Sequence, residues 1–232
     1  MPTNDNPTLR NIRSFVLRDG RLTKGQSKAI QALYEKYALN LTNKSDVIEL
    51  NQAFGNNHPT ILEVGFGNGE SLMNNALDFP DINFIGIEVF KSGVGQLLSN
   101  IEKSQVDNVQ IIMEDAVSII SSYLDDQSLH GIQILFPDPW PKKKHHKRRL
   151  INQSFLALIH KKLQTDGRLY LATDHQGYAD WIDEIMISST LFKKINLQTQ
   201  DNEPYYSRSS TKFERRGLEL GHAIREWYLQ KI

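Results

Sequence analysis

A glycine-rich segment near residue 65 has the composition of a ligand-binding loop. The segment ILEVGFGNG runs from Ile61 to Gly69, and Gly65, Gly67 and Gly69 give it the spacing G-x-G-x-G. Glycines allow a tight turn and let a ligand approach backbone that a Cβ would block. A dinucleotide fingerprint needs G-x-G-x-x-G, and a P-loop ends in G-K-S or G-K-T where this segment continues G-E-S. Because the acidic Glu63 favours a cationic ligand over a pyrophosphate, the segment predicts the S-adenosylmethionine loop of a methyltransferase.

Two further carboxylates follow the next two predicted strands. Glu88 closes the second strand, 23 residues beyond Gly65, about where a Rossmann-like fold holds the ribose hydroxyls of its ligand. Asp115 follows the third strand, where its side chain could accept a hydrogen bond from an adenine amino group. Either residue alone would serve equally well as the N-cap of the next helix. Together with Glu63 and the glycine loop, they predict a cofactor site at three successive strand ends.

The segment FPDPWPK, from Phe136 to Lys142, offers a candidate for the chemical step. Prolines on both sides of Asp138 restrict its backbone and so aim its short side chain. We predict that Asp138 is the catalytic residue, and the sequence leaves open whether it contacts the cofactor, the base or both. Trp140 presents a flat face either to a nucleobase or to the core. The segment follows the fourth predicted strand, next to the switch point at which doubly wound sheets bind their ligands.

A block of positive charge follows directly. The chain has 27 basic and 27 acidic residues and a formal net charge of zero, but Lys142 to Arg149 reads KKKHHKRR. Beside a methyl-transfer site, such a block suits phosphate contacts with a polyanionic substrate. Contacts of this kind position a nucleic acid without identifying it. The predicted RNA-binding residues are Lys144, His145, His146, Lys147, Arg148 and Arg149.

Alternating strand and helix patterns predict the scaffold that positions these residues. The predicted strands are Thr60–Val64, Asn83–Ile87, Val109–Met113, Gly131–Phe136 and Arg168–Ala172. A segment with helical spacing follows each strand, and examples are Ser71–Leu77, Leu150–Leu163 and Tyr178–Ile187. Five such units predict an α/β fold with a doubly wound, mostly parallel, Rossmann-like class I methyltransferase sheet and helices on both faces.

The two ends of the chain are less regular. The first 50 residues carry an amphipathic helix pattern through Ile30, Leu33, Tyr34 and Tyr37, and we predict that they form an extension. Residues 51–232 are then a single methyltransferase domain. Near the C-terminal end, the segments Phe192–Leu197 and Ile224–Leu229 are predicted as closing strands, with a polar loop between them.

Composition argues against several other classes of protein. The chain has no cysteine, and its seven histidines show no metal-ligand spacing, so we expect no metal site. No apolar run approaches the roughly 20 residues that cross a bilayer, and the polar start of the sequence does not resemble a signal peptide. We therefore expect a soluble, cytoplasmic protein that does not contact a membrane.

Three segments together resemble a known family. They are LFPDPWPKKKHHKRRL, TKFERRGLELGH at Thr211 to His222, and RSFVLRDGRLTKGQ at Arg13 to Gln26. Their sequences are similar to those of tRNA (guanine-N7)-methyltransferases of the bacterial single-chain type, over nearly the whole chain. The combination of PDPWPKK-x-H-x-KRR with TKFE is highly specific, whereas the glycine loop is common to many methyltransferases.

The resemblance implies cofactor contacts at the carboxylates named above and tRNA contacts along Lys144 to Arg149. The substrate-binding residues that it implies are Lys142, Asp174, Thr211, Lys212, Phe213 and Glu214. The implied reaction methylates N7 of a guanine at position 46 in the tRNA variable loop, forming 7-methylguanosine. No obligate protein partner is expected, and the protein would act as a monomer or homodimer. His175 departs from the family pattern, which often has Trp after Thr-Asp.

Other readings of the same residues lead to different classes. An NAD-dependent dehydrogenase is disfavoured by the glycine spacing. A non-enzymatic RNA-binding module would explain the basic block but not Glu63, Glu88 and Asp115. An N6-adenine methyltransferase would carry an Asn/Asp-Pro-Pro-aromatic loop, and the order Asp138-Pro139-Trp140 departs from it by one residue.

Overall fold

The computed structural model describes residues 13–16, 20–39, 41, 47–195 and 223–232. Its strands are β1 (Thr60–Val64), β2 (Asn83–Ile87), β3 (Val109–Ile112), β4 (Leu129–Leu135), β5 (Leu163–Thr173), β6 (Phe192–Lys194) and β7 (Arg225–Lys231). Its helices are α1 (Lys24–Tyr37), α2 (Leu50–Phe54), α3 (Glu70–Asp78), α4 (Lys91–Ser104), α5 (Ala116–Ser122), α6 (Gln153–Lys162) and α7 (Gln176–Ile187). A 3₁₀ helix, Lys143–Arg148, lies between β4 and α6.

The seven strands form one sheet in the order β3-β2-β1-β4-β5-β7-β6. Strands β1 to β5 pair in parallel, and β7 runs antiparallel between β5 and β6. The direction of winding reverses between β1 and β4, which are adjacent in the sheet. The predicted doubly wound, mostly parallel sheet is therefore confirmed, and the switch point lies at the carboxyl ends of β1 and β4.

Helices cover both faces of the sheet, because the central strands are apolar on both sides. Every residue of β1 and β2 is buried, as expected for strands that have helices above and below them. One core cluster joins α1, α3 and α4 to the sheet, and the other joins α5, α6 and α7 to it. The apolar face of α4, formed by Val94, Leu97, Leu98 and Ile101, is fully buried.

Local hydrogen bonds set the element ends that differ from the sequence prediction. The helix predicted from Leu150 begins at Gln153, because the side chain of Asn152 caps it by accepting from the Phe155 backbone N–H (3.0 Å). Strand β5 starts at Leu163 instead of Arg168 and contains the predicted turn at Asp166, which has a positive φ of 61°. The predicted strand Phe192–Leu197 is described only as Phe192–Lys194.

The N-terminal helix α1 belongs to the same core as the sheet. Its start is a capping box, in which Thr23 and Gln26 exchange hydrogen bonds between side chain and backbone. It packs on α4 so closely that a Cβ on Gly95 would lie 2.7 Å from the Gln26 carbonyl oxygen. Beyond α1, Ala38 forms a parallel bridge with Ile111 of the edge strand β3. The division of the chain at residue 50 remains a prediction.

Candidate active site

A cavity of about 220 Å³ opens at the carboxyl ends of β1 to β4. Residues from four successive strand ends line it, together with residues from the N-terminal segment. Among the lining residues are the predicted Gly65, Gly67, Glu88, Asp115 and Asp138. The topology thus brings together predicted residues that are up to 73 positions apart in the sequence, as a doubly wound sheet requires.

The glycine loop forms one wall of this cavity. Gly65 and Gly67 have positive φ angles of 74° and 58°, a region that residues with a Cβ rarely adopt. The Gly65 N–H donates to the Ile87 carbonyl (2.8 Å), and the Gly67 N–H donates to the Glu88 carboxylate (2.9 Å). These two hydrogen bonds therefore hold the loop that follows β1 against the end of β2.

Gly69 has a different role from the other two glycines. It is the N-cap of α3 with a φ of 77°, and it is not among the cavity-lining residues. A Cβ at this position would lie 2.7 Å from Leu97 Cδ1 on α4. Its predicted cofactor contact is therefore not supported by the geometry, and Gly69 instead allows α3 to pack against α4.

Glu88 binds three backbone N–H groups with its carboxylate. One oxygen accepts from Val89 (2.7 Å) and Phe90 (3.0 Å), and the other accepts from Gly67 (2.9 Å). Burial raises the pKa of Glu88, the three N–H donors oppose that shift, and the charge of Asp138 adds to it. The second oxygen has taken one donor and has capacity for another, such as a ligand hydroxyl.

Glu63 is fully buried in β1 behind the cavity wall. Within the described part of the chain, its Oε2 has no hydrogen-bond partner. Burial, with a smaller contribution from the charge of Glu88, raises the pKa of Glu63 from 4.5 to about 8. A nearby positive charge would oppose this shift and favour the ionised form of Glu63.

Asp115 caps a helix and also lies at the cavity. It is the N-cap of α5, where its carboxylate accepts from the Val117 N–H (3.2 Å) and the Ser118 hydroxyl (3.4 Å). It also lines the cavity, next to Glu114. Capping the helix holds the Asp115 side chain at the cavity edge.

The Asp138 loop separates the cavity from a second pocket. This neighbouring pocket has a volume of about 520 Å³ and is lined by Val16, Phe90, Trp140, Lys142 and neighbouring residues. Asp138 lines both spaces. Phe136 and Trp140, on either side of it, have positive φ angles of 51° and 44°. Such strain costs about 1–3 kcal/mol per residue and concentrates at functional sites.

The basic turn, residues 143–148, stands beside this second pocket. Lys144 and Lys147 are exposed, and His145, His146 and Arg148 are partly exposed. The Arg148 guanidinium lies 4.9 Å from the centre of the Trp140 ring, and His145 meets the same ring edge-on at 5.6 Å. Partial burial, together with the surrounding positive charges, lowers the pKa of His145.

Arg149 departs from the predicted set of RNA contacts. It is only 4% exposed, and its guanidinium lies between the rings of Tyr178 (5.1 Å) and Trp181 (5.2 Å) of α7. Its Nε donates to the Pro139 carbonyl (2.9 Å). A buried guanidinium does not present its charge to a phosphate backbone, so in this respect Arg149 differs from the other basic residues of the block.

The predicted substrate residues are only partly covered by the structure. Lys142 is exposed at the second pocket, and Asp174 follows the end of β5. His175, at the position where the family often has Trp, is the N-cap of α7, and its Nδ1 accepts from the Tyr178 N–H (3.2 Å). Thr211, Lys212, Phe213 and Glu214 lie outside the described residues.

The sequence interpretation missed two parts of the site. Ser14 and Phe15 line the cavity, and the Trp140 indole N–H donates to the Ser14 carbonyl (2.8 Å). Gly93 lies under the glycine loop, since a Cβ there would come within 1.9 Å of the Gly67 carbonyl oxygen. Two glycines in the α4 sequence KSGVG were a usable signal, because glycine is a poor helix former and marks close packing.

Neither a metal centre nor a membrane span is found in residues 13–16, 20–39, 41, 47–195 and 223–232. No three His, Cys, Asp or Glu side chains in these ranges form a cluster that could hold a metal ion. No helix in them is long and apolar enough to cross a membrane.

Comparisons with known proteins point to one family. Residues 57–227 match a family model described as a putative methyltransferase. A tRNA (guanine-N(7)-)-methyltransferase from Alkalilimnicola ehrlichii is 43% identical over 222 residues, which cover 96% of this chain and 93% of that protein. An enzyme of the same name from Shewanella frigidimarina is 43% identical over 220 residues, which cover 95% and 92%.

Solved structures share the fold at low sequence identity. An antibiotic-related methyltransferase has a TM-score of 0.54 at 18% identity and covers 86% of this chain and 98% of its own. The 16S rRNA methyltransferase KamB also has a TM-score of 0.54, at 12% identity, and covers 79% and 92%. These similarities support the class I methyltransferase fold.

Proposed function

The chain belongs to the tRNA (guanine-N7)-methyltransferase family, and on that premise we propose that it methylates N7 of a guanine in tRNA with S-adenosylmethionine as donor. The products are 7-methylguanosine and S-adenosylhomocysteine. We further propose that the target is guanine 46 of the variable loop. The observation that carries the proposal is the position of Asp138, between a carboxylate-lined cavity and a second pocket beside the basic turn.

The residues of the first cavity fit S-adenosylmethionine. The cofactor carries a sulfonium and an ammonium group, and the wall of the cavity contains Glu88, Glu114, Asp115 and Asp138, with Glu63 buried behind it. Gly65 and Gly67 would hold its amino-acid portion against the backbone. One acceptor position of Glu88 is available for a ribose hydroxyl, and Asp115 lies at the next strand end for the adenine.

The second pocket fits the base that accepts the methyl group. Phe90 and Trp140 give it aromatic surface, and Asp138 and Lys142 give it polar groups. An extruded base is commonly held by aromatic contacts and by hydrogen bonds to its edge. We propose that Asp138, Asp174 and Glu214 accept from the guanine N1–H and exocyclic amine. Adenine presents a different donor pattern and would be rejected.

The reaction needs alignment more than acid or base catalysis. S-adenosylmethionine supplies an electrophilic methyl group on sulfur, and guanine N7 already has a free lone pair. The protein therefore has to hold the base in line and keep water out, which supplies several kcal/mol. As the methyl group leaves sulfur for N7, positive charge moves to the base, and the carboxylate of Asp138 stabilises it there.

The basic turn is the proposed tRNA surface. Lys144, Lys147 and Arg148 would contact phosphates, with His145 and His146 as polar contacts. These residues lie beside the second pocket, so phosphate contacts would fix the tRNA with its target base near Asp138. We propose that the enzyme acts in the cytoplasm, without an obligate protein partner, as a monomer or homodimer.

One experiment tests both the reaction and the position. Unmodified tRNA is incubated with the protein and methyl-labelled S-adenosylmethionine, and the digested nucleosides are separated. We expect label in 7-methylguanosine, and its loss when guanine 46 is replaced by adenine. Label in another nucleoside would refute the proposed reaction, and label in 7-methylguanosine from the substituted tRNA would refute only the proposed position.

A further inference from the structure

Arg149 is a charged side chain in an environment where charge is expensive. Its residue surface is 4% exposed, although it ends a block of basic residues that are otherwise exposed or partly exposed. Removing a guanidinium from water carries a large free-energy cost unless its surroundings compensate. The contacts that compensate in this fold come from two separate segments of the chain, helix α7 and the Asp138 loop.

The side chain of Arg149 connects helix α7 to the Asp138 loop. Tyr178 and Trp181, one turn apart on α7, hold the guanidinium between their rings at 5.1 and 5.2 Å. Its Nε donates to the carbonyl of Pro139, the residue directly after Asp138 (2.9 Å). An arginine suits this position because its planar group can stack on an aromatic ring and donate in its plane at the same time.

The backbone around Arg149 is held by the same helix. The Ile151 N–H donates to the Tyr178 hydroxyl (3.0 Å), and the Trp181 indole N–H donates to the Ile151 carbonyl (2.8 Å). The Arg149 N–H donates to the His146 carbonyl (2.9 Å), which closes the basic turn. Arg149 and Ile151 both attach this part of the chain to α7, and Arg149 is the one of the two that also contacts the Asp138 loop.

We propose that Arg149 is a positioning residue that holds Asp138 and the basic turn in register on α7, and that it makes no tRNA contact. The inference rests on the proposed methyl transfer for its rate measurement, but its binding measurements are independent of that reaction. Its neighbour Arg148 differs from it in burial and in contacts. Arg148 is partly exposed, and its guanidinium lies over the ring of Trp140 instead of between two rings of α7.

The test compares R149Q and R149K with R148Q and R168Q. Arg168 is the control arginine. It lies at the amino end of the parallel part of β5, whereas the site lies at the carboxyl ends of the parallel strands. For each protein we would measure kcat, the salt dependence of tRNA affinity, and the Kd for S-adenosylhomocysteine by calorimetry. All assays would be run at least about 15 °C below the melting temperature of the least stable variant.

For R149Q we expect kcat at saturating tRNA to fall about 100-fold, as for a misplaced catalytic group. Its Kd for S-adenosylhomocysteine should rise several-fold, because Asp138 lines that cavity, while the slope of log Kd for tRNA against log salt stays at the wild-type value. R149K should behave like R149Q, since an ammonium lacks the stacking plane. R148Q should lower the slope by about 0.7–0.9, the loss of one phosphate contact, and R168Q should match wild type in all three measurements.

The opposite pattern would overturn the inference. If R149Q lowered the salt slope as R148Q does, and R149K restored it, Arg149 would be a phosphate contact. If R149Q were too unstable to assay, W181F would replace it. That variant keeps an aromatic ring but loses the donor to the Ile151 carbonyl, and it should lower kcat about 3- to 10-fold with an unchanged slope. An inactive wild-type protein would refute the proposed function, while the salt slope and the S-adenosylhomocysteine Kd would still decide the role of Arg149.

Discussion

Glu63 and Glu88 are neighbouring buried carboxyl groups with different surroundings. Three backbone N–H groups bind the carboxylate of Glu88. The Oε2 atom of Glu63 has no such donor within the described residues. An unsatisfied buried carboxylate is costly, so the neutral acid of Glu63 is favoured until a cation arrives. The two carboxyl groups therefore differ in how the fold compensates for their burial.

Replacing Glu63 with Gln should change how stability depends on pH. The pKa of Glu63 is about 8 in the folded protein and 4.5 without perturbation, so the folded state binds the extra proton between these values. Stability from this group is full below pH 4.5 and declines as the pH rises to about 8, by roughly 5 kcal/mol at most. In chemical unfolding of the ligand-free protein, E63Q should therefore gain stability relative to wild type between pH 5 and 8.5.

The control for this measurement is E35Q, which changes an exposed glutamate on α1. Its unfolding free energy should differ from that of wild type by a constant amount over the same pH range. A constant difference for E63Q as well would mean that Glu63 is ionised in the folded protein without a ligand.

Asp138 is the residue for which we predict an effect on the rate of methyl transfer. D138N should lower kcat about 100- to 1,000-fold, because the variant cannot stabilise positive charge on the methylated base. Its tRNA affinity should stay within about 3-fold of wild type, since the basic turn is intact. Rates from labelled cofactor and filter-binding Kd values separate the two effects. The matched change at an exposed residue, D107N, should alter neither.

Loss of tRNA binding in D138N, with a normal rate for the tRNA that does bind, would contradict this division of roles. Asp138 would then belong to the tRNA surface.

Helix α4 packs closely against two neighbouring segments, and a glycine lies at each of these contacts. Gly93 faces the glycine loop, and Gly95 faces α1. Both glycines are required for close approach of backbone to backbone, and neither has a positive φ. Phe90, the N-cap of the same helix, donates its N–H to Glu88 and lines the first cavity. The start of α4 therefore lies at the cavity, whereas its α1-facing side is part of the core.

Alanine substitutions should separate these two sides of α4. In G93A the Cβ would meet the Gly67 carbonyl oxygen at 1.9 Å, so the loop must move. We expect the Kd for S-adenosylhomocysteine to rise at least about 10-fold, with a loss of stability of about 1–3 kcal/mol. Calorimetry and thermal unfolding measure the two effects.

Two further alanine variants serve as controls for G93A. G95A should lose comparable stability, because its Cβ would meet the Gln26 carbonyl oxygen at 2.7 Å, but it should bind S-adenosylhomocysteine normally. G25A, whose Cβ would have no neighbour closer than 3.9 Å, should be neutral or slightly stabilising. Equal cofactor affinity in G93A and wild type would show that the loop tolerates displacement.

Charge is unevenly distributed over the whole molecule. The carboxylate cavity and the basic turn both lie at the carboxyl edge of the parallel sheet, and the turn lies farther out. The C-terminal ends of α4 and α6 carry Lys103 and Lys161 and lie at the opposite, amino edge. Within the described residues, a formal net charge of zero for the whole chain therefore coexists with a local cluster of positive charge at the basic turn.

Neutralising the basic turn should weaken tRNA binding and flatten its dependence on salt. In the triple variant K144Q/K147Q/R148Q, the slope of log Kd against log salt should fall by about 2–3. The double variant K103Q/K161Q removes charge from the amino edge and should leave the slope unchanged. Filter binding between 50 and 300 mM salt measures both. Equal effects of the two variants would indicate binding by overall charge instead of a defined surface.

Spacing and periodicity in the sequence determined much of this protein. The glycine loop, the carboxylates at Glu88 and Asp115, and the strands β1 and β2 were predicted at the positions that the structure shows. These signals are local, because strand alternation, helical spacing and turn glycines act over a few residues. The parallel order then followed from short connections, which bring successive strand ends to one edge of the sheet.

Only the tertiary structure shows which of the predicted residues lie at the cavity or the surface and which are buried in the core. Arg148 and Arg149 are adjacent and chemically identical in the sequence, yet one lies at the surface and the other is buried. Gly69 resembles Gly65 and Gly67 in the motif but packs against Leu97. Ser14 enters the site from more than 120 residues away, through the Trp140 indole. Burial depends on contacts between distant segments, and local spacing carries no information about those contacts.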